Sequence, residues 1–183
     1  MKAEETHLKG CFIIEPNLIH DERGYFMESF NEKKFYEATG HEVHFLQDNQ
    51  SFSAKGVLRG LHYQTAEHAQ AKLVRVLQGE VLDVAVDVRE NSKTYGQHFK
   101  IVLSAENNKQ LFIPRGFAHG FLVLSETAVF FYKCDNFYNK ESEGGIIYND
   151  LSLNIDWQLS SNELIISEKD MALPVLENSK KIW

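Results

Sequence analysis

Short runs in which apolar and polar residues alternate recur along most of the chain and predict β-strands. The predicted strands cover residues 11–15, 25–30, 43–47, 56–64, 71–77, 80–88, 99–103, 110–113, 120–124 and 128–135. Because one weak helical segment is all that interrupts them, the spacing favours a β-sandwich or a barrel over alternating βαβ units. The pattern therefore predicts an all-β fold.

One helix and several turns separate these strands. Asn31 can cap a short helix that ends at Gly40. The Gln-Gly pair at 78–79 predicts a β-hairpin between its flanking strands, and the Gly-Gly pair at 144–145 predicts another turn. Residues 164–170 form an apolar run that ends in charges, which is typical of a solvated chain end.

A polar patch follows the third predicted strand, at residues 48–51. Its amide side chains can cap turns. If they face a cavity instead, they can bind the hydrogen-bonding edge of a ligand. Both interpretations stay open at the level of the residues.

Ionisable side chains within apolar strands are the best candidates for chemistry, because burying them is costly without a partner or a purpose. His62 lies in such a strand and is either a hydrogen-bonded structural histidine or a catalyst. Alternation directs Lys72 and Arg75 to opposite faces, so one of them must point to the more enclosed side. Composition alone favours Tyr132 as a core residue whose hydroxyl bonds to the backbone.

Length and composition limit the class of protein. The 183 residues contain no linker-like stretch, so residues 1–183 are expected to form one domain. The net charge of -7 argues against general affinity for nucleic acid, and the apolar runs are too short to span a membrane. The first residues are polar, and Cys11 and Cys134 are far apart, so we expect a cytoplasmic soluble protein with two reduced, buried thiols.

Residues 56–62 and 114–119 resemble the two signature motifs of the cupin superfamily. The resemblance implies a jelly-roll barrel, or double-stranded β-helix, with a few short helices. Metal-binding cupins have a second histidine where this chain has Gln64, and a glutamate at the spacing that His68 and Ala69 occupy here. Since a catalytic iron or zinc site usually needs two histidines and a carboxylate, we expect no bound metal and histidines that are available for proton transfer.

Longer segments resemble one family, the dTDP-4-dehydrorhamnose 3,5-epimerases, over nearly the whole chain. The matching segments are residues 21–26, 47–49, 56–64, 71–76, 114–121 and 167–170. The resemblance implies epimerisation at C3 and C5 of dTDP-4-dehydro-6-deoxy-D-glucose to dTDP-4-dehydro-L-rhamnose, in dTDP-L-rhamnose biosynthesis. The C4 ketone acidifies the hydrogens on both neighbouring carbons, so the implied reaction requires no cofactor.

The resemblance also implies the roles of the residues that act on the sugar. His62 would be the base, and Asp170 would hold its tautomer and stabilise the imidazolium. Lys72 would lie at the developing enolate oxygen. Tyr132 would return a proton from the opposite face, most clearly at C5, and His119 would line the sugar pocket.

A second set of residues is implied to bind the nucleotide. Arg23, Arg59 and Lys169 would surround the diphosphate, because the forked guanidinium matches phosphate oxygens. Phe26 and Tyr138 would stack on the thymine. The remaining polar lining would come from Glu28, Gln47, Asp48, Asn49 and Glu143.

The family resemblance further implies a homodimer whose N-terminal strands are exchanged, so that Arg23, Phe26 and Glu28 serve the neighbouring subunit's site. Two other functions stay open. The chain could epimerise a single position of a related dTDP-4-keto-deoxysugar, or it could be a non-catalytic cupin that binds a nucleotide sugar. Tyr132 favours the double epimerase, and the combination of base, carboxylate, lysine and acid argues against a module that only binds.

Overall fold

Short strands, nearly all of them antiparallel, are the main regular structure of the chain, and the computed structural model describes every residue from Met1 to Trp183. The strands are β1 (Lys2–Glu5), β2 (Phe12–Glu15), β3 (Leu18–Asp21), β4 (Gly24–Met27), β5 (Gln47–Ala54), β6 (Val57–Gln64), β7 (Lys72–Gln78), β8 (Glu80–Asp87), β9 (His98–Ser104), β10 (Gln110–Ile113), β11 (Phe117–Val123), β12 (Thr127–Cys134), β13 (Glu143–Gly145) and β14 (Ile165–Ile166). The helices are α1 (Glu32–Thr39) and α2 (Glu168–Met171). No helix is both long enough and apolar enough to cross a membrane.

Two sheets face each other and form a jelly-roll barrel. The first has the order β1-β2-β10-β7-β12-β5, and the second has the order β13-β6-β11-β8-β9, with β14 added beside β6. Strands that are distant in sequence are neighbours in both sheets, as in a double-stranded β-helix. This architecture confirms the all-β prediction and the cupin-type barrel that the resemblance implied.

Apolar side chains pack in three layers around the two sheets. The layer between the sheets includes Val74 and Val76 of β7 and Val81 and Ala85 of β8. A second layer lies on the other face of β8, where the C-terminal part of the chain covers it, and a third lies under α1. Since β8 is covered on both faces, its residues are buried at nearly every position rather than at every second one.

Helix α1 forms where the sequence predicts it. The side chain of Asn31 accepts a hydrogen bond from the backbone N–H of Lys34, which is the expected N-cap. Gly40 adopts a left-handed conformation with φ 73° at the C-terminus. The helix buries Phe35 against β2 and β10 and thereby covers the outer face of the first sheet.

The predicted hairpin at 78–79 is wrong, because β7 and β8 belong to different sheets. β7 pairs with β10 and β12, whereas β8 pairs with β9 and β11. Gly79, with φ 77°, turns the chain from one sheet to the other. A local turn signal marks where the chain bends, but it does not specify which strand will be the hydrogen-bonding partner.

Strand 43–47 is also predicted wrongly, because β5 begins only at Gln47 and continues through the polar patch to Ala54. β5 is an edge strand that pairs only with β12, so polar side chains are tolerated on both of its faces. Val43 and Phe45 instead pack into the layer under α1. Part of the polar patch at residues 48–51 faces a pocket, so these side chains form a cavity wall rather than turn caps.

The C-terminal region is folded onto the barrel rather than solvated. β14 runs parallel to β6, and α2 follows directly, so that the segment predicted as a free chain end contributes a buried residue, Asp170. The glycines at 144–145 are not a turn but part of β13, which pairs with β6. Both segments were misjudged because their pairing partner lies far away in the sequence.

Gly60 lies where the backbones of β6 and β11 approach each other closely. Its φ is 126°, and a Cβ atom there would lie 2.6 Å from the Cα atom of Gly120. We expect Gly60→Ala to lower the free energy of unfolding by about 3 kcal/mol or more, because backbone strain and a backbone clash combine. Thermal and urea unfolding would measure the loss.

Gly40→Ala is the matched control for this prediction. Gly40 also has a positive φ, of 73°, but a Cβ atom there would meet nothing within 4 Å. The control should therefore show only the strain, about 1 kcal/mol. Equal losses in the two variants would contradict the role of close strand packing at Gly60.

Candidate active site

A pocket of about 460 Å³ opens between the two sheets and is lined mainly by polar side chains. Its walls come from β5, β6, β7, β11 and β12, together with segments near β13 and α2. Eleven of the predicted site residues line it: His62, Lys72, Tyr132, Asp170, Gln47, Asn49, Arg59, His119, Tyr138, Glu143 and Lys169. The structure thus gathers residues from positions 47 to 170 into one cavity.

His62 and Asp170 form a hydrogen-bonded pair inside this pocket. Nε2 of His62 lies 2.8 Å from Oδ1 of Asp170, and the backbone N–H of Gly60 donates to Oδ2 at 3.2 Å. The side chain of Ser167 accepts a hydrogen bond from the backbone N–H of Asp170 and so caps α2. Asp170 is only 4% exposed, whereas His62 reaches the cavity.

The charge of Asp170 is stabilised by this arrangement. Burial alone would raise the pKa of the carboxyl group, but the hydrogen bonds from His62 and Gly60 and the field of the imidazole outweigh it, so the pKa is lowered. An ionised Asp170 accepts from Nε2–H of His62. Nδ1 makes no hydrogen bond to the protein, so it remains available as a base that faces the pocket.

Lys72 and Tyr132 come from neighbouring strands of the first sheet. The ammonium of Lys72 lies 5.9 Å from the ring centroid of Tyr132. Burial lowers the pKa of Lys72, although Cys134, Asp83 and Glu143 act in the opposite direction. Alternation along β7 places Lys72 on the inner face with Val74, which identifies it as the inward-pointing cation.

Tyr132 is not a core residue whose hydroxyl is tied to the backbone. Its hydroxyl makes no hydrogen bond to the protein, and the side chain lines the cavity. Burial raises the pKa of the phenol, so at neutral pH the group is a proton donor. The adjacent Cys134 is buried and accepts a weak hydrogen bond from Nδ2 of Asn49 at 3.7 Å.

A hydrogen-bonded chain closes one side of the pocket mouth. The hydroxyl of Tyr138 donates to Oε2 of Glu143 at 3.2 Å, and Nζ of Lys169 donates to Oε1 at 2.6 Å. The backbone N–H of Tyr138 donates to Oε1 of Gln47 at 3.1 Å. These contacts hold an exposed aromatic ring and a lysine at the same opening, a combination suited to binding a nucleobase and a phosphate group.

Asp48 was predicted to line the pocket, and that prediction is wrong. Alternation along β5 directs Gln47 and Asn49 to the cavity and Asp48 to the opposite face. There its carboxylate accepts a hydrogen bond from Nζ of Lys133 at 2.9 Å. The matching segment 47–49 is therefore split between two faces of one strand.

Three further predicted residues do not line the pocket of their own chain. Arg23 pairs with Asp21, Glu28 pairs with Lys34 at 2.8 Å, and Phe26 is 68% exposed. All three lie on or next to the β3–β4 hairpin, which pairs with no other strand. Within one chain, the structure does not bring them to the site.

Several site residues were missed at the level of the sequence. Asp83 binds Nε2 of His119 with an Oδ2–Nε2 distance of 2.8 Å, and the only available signal was an aspartate between apolar neighbours within a strand. Gln64, considered above only as the residue that replaces a cupin histidine, accepts a hydrogen bond from the backbone N–H of Asn139 at 2.9 Å and anchors a loop. Gln70 also lines the pocket.

The histidines of the two cupin motifs are cross-strand partners in β6 and β11. Nε2 of each histidine bonds to a different carboxylate: His62 bonds to Asp170, and His119 bonds to Asp83. The chain contains no group of three or more His, Cys, Asp or Glu side chains arranged to hold a metal ion. The expectation of a metal-free site stays a prediction.

Comparison with known proteins relates the chain to one family. Residues 5–178 match the family of dTDP-4-dehydrorhamnose 3,5-epimerases. A protein of that name from Shigella flexneri is 54% identical over 171 residues, which is 93% of each chain.

Solved structures agree with this relationship. The dTDP-4-dehydrorhamnose 3,5-epimerase of Elizabethkingia anophelis is 60% identical, with a TM-score of 0.95 over 100% of this chain and 99% of that one. The Legionella pneumophila dTDP-6-deoxy-D-glucose-3,5-epimerase, solved with dTDP-4-keto-L-rhamnose, is 50% identical, with a TM-score of 0.92 over 97% and 93% of the two chains.

The enclosed ammonium of Lys72 should reduce stability. Because its folded-state pKa is lowered, the folded state disfavours the charged form, and the cost is greatest below that pKa and disappears as the pH rises toward the unfolded-state pKa. We expect Lys72→Met to raise the free energy of unfolding by about 1 kcal/mol at neutral pH, and the gain should shrink at alkaline pH.

Lys133→Met is the control, since Lys133 pairs with Asp48 on the opposite face of the sheet and should contribute little. Urea unfolding of the two variants between pH 7 and 10 provides the measurement. A gain for Lys72→Met that grows with pH would contradict the assignment of a buried ammonium.

Proposed function

Because the chain belongs to the dTDP-4-dehydrorhamnose 3,5-epimerase family, we propose that His62, Lys72, Tyr132 and Asp170 carry out the family's reaction in the pocket described above. The enzyme is an isomerase. It inverts C3 and C5 of dTDP-4-dehydro-6-deoxy-D-glucose by removing and returning protons next to the C4 ketone. Residues 1–183 act in this as one domain.

The observation that carries the proposal is the position of the base and the acid on facing sheets. His62 belongs to β6 of the second sheet, whereas Tyr132 belongs to β12 of the first sheet, and both line the same cavity. A sugar ring held between the sheets therefore has a proton acceptor on one side and a proton donor on the other. Inversion at a carbon requires that arrangement.

Each step follows from the groups present. Nδ1 of His62 takes the proton, and Asp170 stabilises the resulting imidazolium through Nε2–H. The ammonium of Lys72 stabilises the negative charge that develops on the ketone oxygen. Tyr132, kept protonated by burial, returns a proton from the opposite side. The substrate's own carbonyl holds the electrons, so the proposed reaction requires no cofactor.

The nucleotide occupies the polar mouth of the pocket in this proposal. Lys169 and Arg59 contact the diphosphate, and Tyr138 stacks on the thymine. The ion pair between Lys169 and Glu143 lies at the surface, where it contributes little energy, so a diphosphate can compete for the ammonium. Gln47 and Asn49 complete the lining.

A homodimer with shared sites accounts for the residues that lie outside the pocket. The β3–β4 hairpin exposes Ile19, Tyr25 and Phe26, which are 59%, 50% and 68% accessible. An isolated two-stranded hairpin with an apolar surface is unstable without a partner. We propose that a second copy of the chain covers it, so that Arg23, Phe26 and Glu28 of one subunit complete the other subunit's pocket.

The thiols support a cytoplasmic location for this enzyme. Cys11 and Cys134 are both free and buried. Burial raises the pKa of Cys11 to about 12, which keeps that thiol protonated and unreactive. A reducing compartment suits a protein whose two cysteines form no disulfide.

Replacement of the base should abolish turnover but not nucleotide binding. We expect His62→Ala to lower kcat by about 100- to 10,000-fold while dTDP affinity changes little. His44→Ala is the control, because His44 is exposed and pairs with Glu32 far from the pocket. Retained turnover in His62→Ala would exclude His62 as the base.

Exchange of hydrogen for deuterium in heavy water tests the double reaction and the role of Tyr132. We expect deuterium at both C3 and C5 with the unchanged enzyme, and a loss mainly at C5 with Tyr132→Phe. Tyr36→Phe, on the exposed face of α1, serves as the control. Incorporation at C3 alone in the unchanged enzyme would indicate a single-position epimerase. Equal loss of deuterium at both carbons in Tyr132→Phe would contradict the assignment of Tyr132 as the acid that acts mainly at C5.

Mixed dimers test the shared site. Arg23→Ala and His62→Ala chains, refolded together, should regain about one quarter of the wild-type activity, because half of the dimers then contain one intact site. Each variant alone should stay impaired. No recovery on mixing, although mixed dimers form, would place Arg23 at the site of its own chain.

A further inference from the structure

A second imidazole–carboxylate pair lies inside the barrel, separate from His62 and Asp170. Nε2 of His119 is 2.8 Å from Oδ2 of Asp83. His119 pairs with Ala85 of β8, and Asp83 lies two residues along the same strand, so the pleat directs both side chains to the barrel interior. Asp83 is completely buried, and His119 is only 6% exposed.

The imidazole ring of His119 is held in one orientation. It stacks on Phe130 with ring centroids 5.9 Å apart and planes at 21°. Phe130 stacks in turn on Phe121 at 4.2 Å and 16°. With its ring plane and Nε2 both restrained, His119 has one free polar atom, Nδ1.

Nδ1 of His119 faces the pocket. It has no hydrogen-bond partner in the protein. Only one side-chain polar atom of the chain, Oδ1 of Asp83, is both buried and without a partner, so Nδ1 of His119 is not a buried atom. Nδ1 is therefore accessible, and His119 is among the residues that line the cavity. A ligand in the pocket can reach this nitrogen.

The groups around His119 decide which of its ring nitrogens carries a proton. The groups that face it are His62 from β6, Lys72 from β7, Asp83 from β8 and Tyr132 from β12. When the ring of His119 carries a single proton, that proton lies on Nε2, because Nε2 faces the Asp83 carboxylate at 2.8 Å and a carboxylate can only accept.

We propose that Asp83 is a positioning residue, which holds the Nε2–H tautomer of His119 and so presents Nδ1 as a hydrogen-bond acceptor for a hydroxyl group of the hexose. This inference rests on the proposed function and deepens it, since it assigns a sugar-hydroxyl subsite beside His62, on the same wall of the pocket. A hydroxyl donates to Nδ1, whereas a deoxy or O-methyl position cannot. The subsite therefore selects sugars that keep this hydroxyl free.

Nitrogen NMR of the histidine side chains in the unchanged protein tests the tautomer directly. We expect the spectrum to show a proton on Nε2 of His119 and a bare Nδ1. This measurement needs no turnover, so its outcome is independent of whether the proposed reaction is correct. A proton on Nδ1 of His119 would overturn the inference.

Asp83→Asn tests the consequence for binding and catalysis. The amide can donate to Nε2, which permits the other tautomer and removes the acceptor at Nδ1. We expect the NMR signature of His119 to change and kcat/KM to fall by roughly 10- to 100-fold. A folded Asp83→Asn protein with an unchanged tautomer or unchanged kcat/KM would contradict the proposal.

Two comparisons separate positioning from a structural role. Asp87→Asn is the matched control, because Asp87 is equally buried on β8 but binds Arg89, Ser92 and Thr94 outside the pocket. The Asp87→Asn protein should be less stable, while the tautomer of His119 and kcat/KM stay unchanged. In a His119→Leu background, Asp83→Asn should add little further loss of kcat/KM. Fully additive losses would show that Asp83 does not act through His119.

Discussion

The hydrogen bond between His62 and Asp170 is the contact on which the arrangement of the site depends. It joins the middle of the chain to its C-terminal region, across a sequence separation of 108 residues. β14 beside β6 and the cap at Ser167 bring Asp170 to this position, and Gly60 donates the second hydrogen bond to its carboxylate. Without these donors, burial would raise the pKa of the Asp170 carboxyl group and favour its neutral form, which orients an imidazole less firmly.

The barrel provides this pair with an enclosed polar space, which a packed core could not. Edge strand β5 has polar side chains facing the cavity, and β7 directs Lys72 inward where its neighbours along the strand are valines. Such a polar lining reduces the apolar contacts between the two sheets. The loss is limited because apolar layers on the outer faces of both sheets, beneath α1 and the C-terminal segment, stabilise the barrel independently.

The two histidines show how one motif pattern can be adapted to proton chemistry. They are cross-strand partners, as two ligands of one ion would be, but each is bonded to its own buried carboxylate. The difference between them lies in access: His62 is part of the wall that opens to the cavity, whereas His119 is almost enclosed and stacked on Phe130. In the proposed reaction the two similar pairs perform different tasks, one as a base and the other as a fixed hydrogen-bonding group.

The sequence by itself determined the strand content, helix α1 with its caps, and, through the family resemblance, eleven residues that line the pocket. The strands and the helix caps follow from local alternation and capping, whereas the pocket residues follow from the resemblance alone. Only the tertiary structure decided that the chain changes sheets at Gly79, that Asp48 faces away from the pocket, that the C-terminal segment is docked, and that Asp83 binds His119. The physical reason is that strand pairing and the burial of a carboxylate depend on partners distant in the chain, which no local pattern specifies.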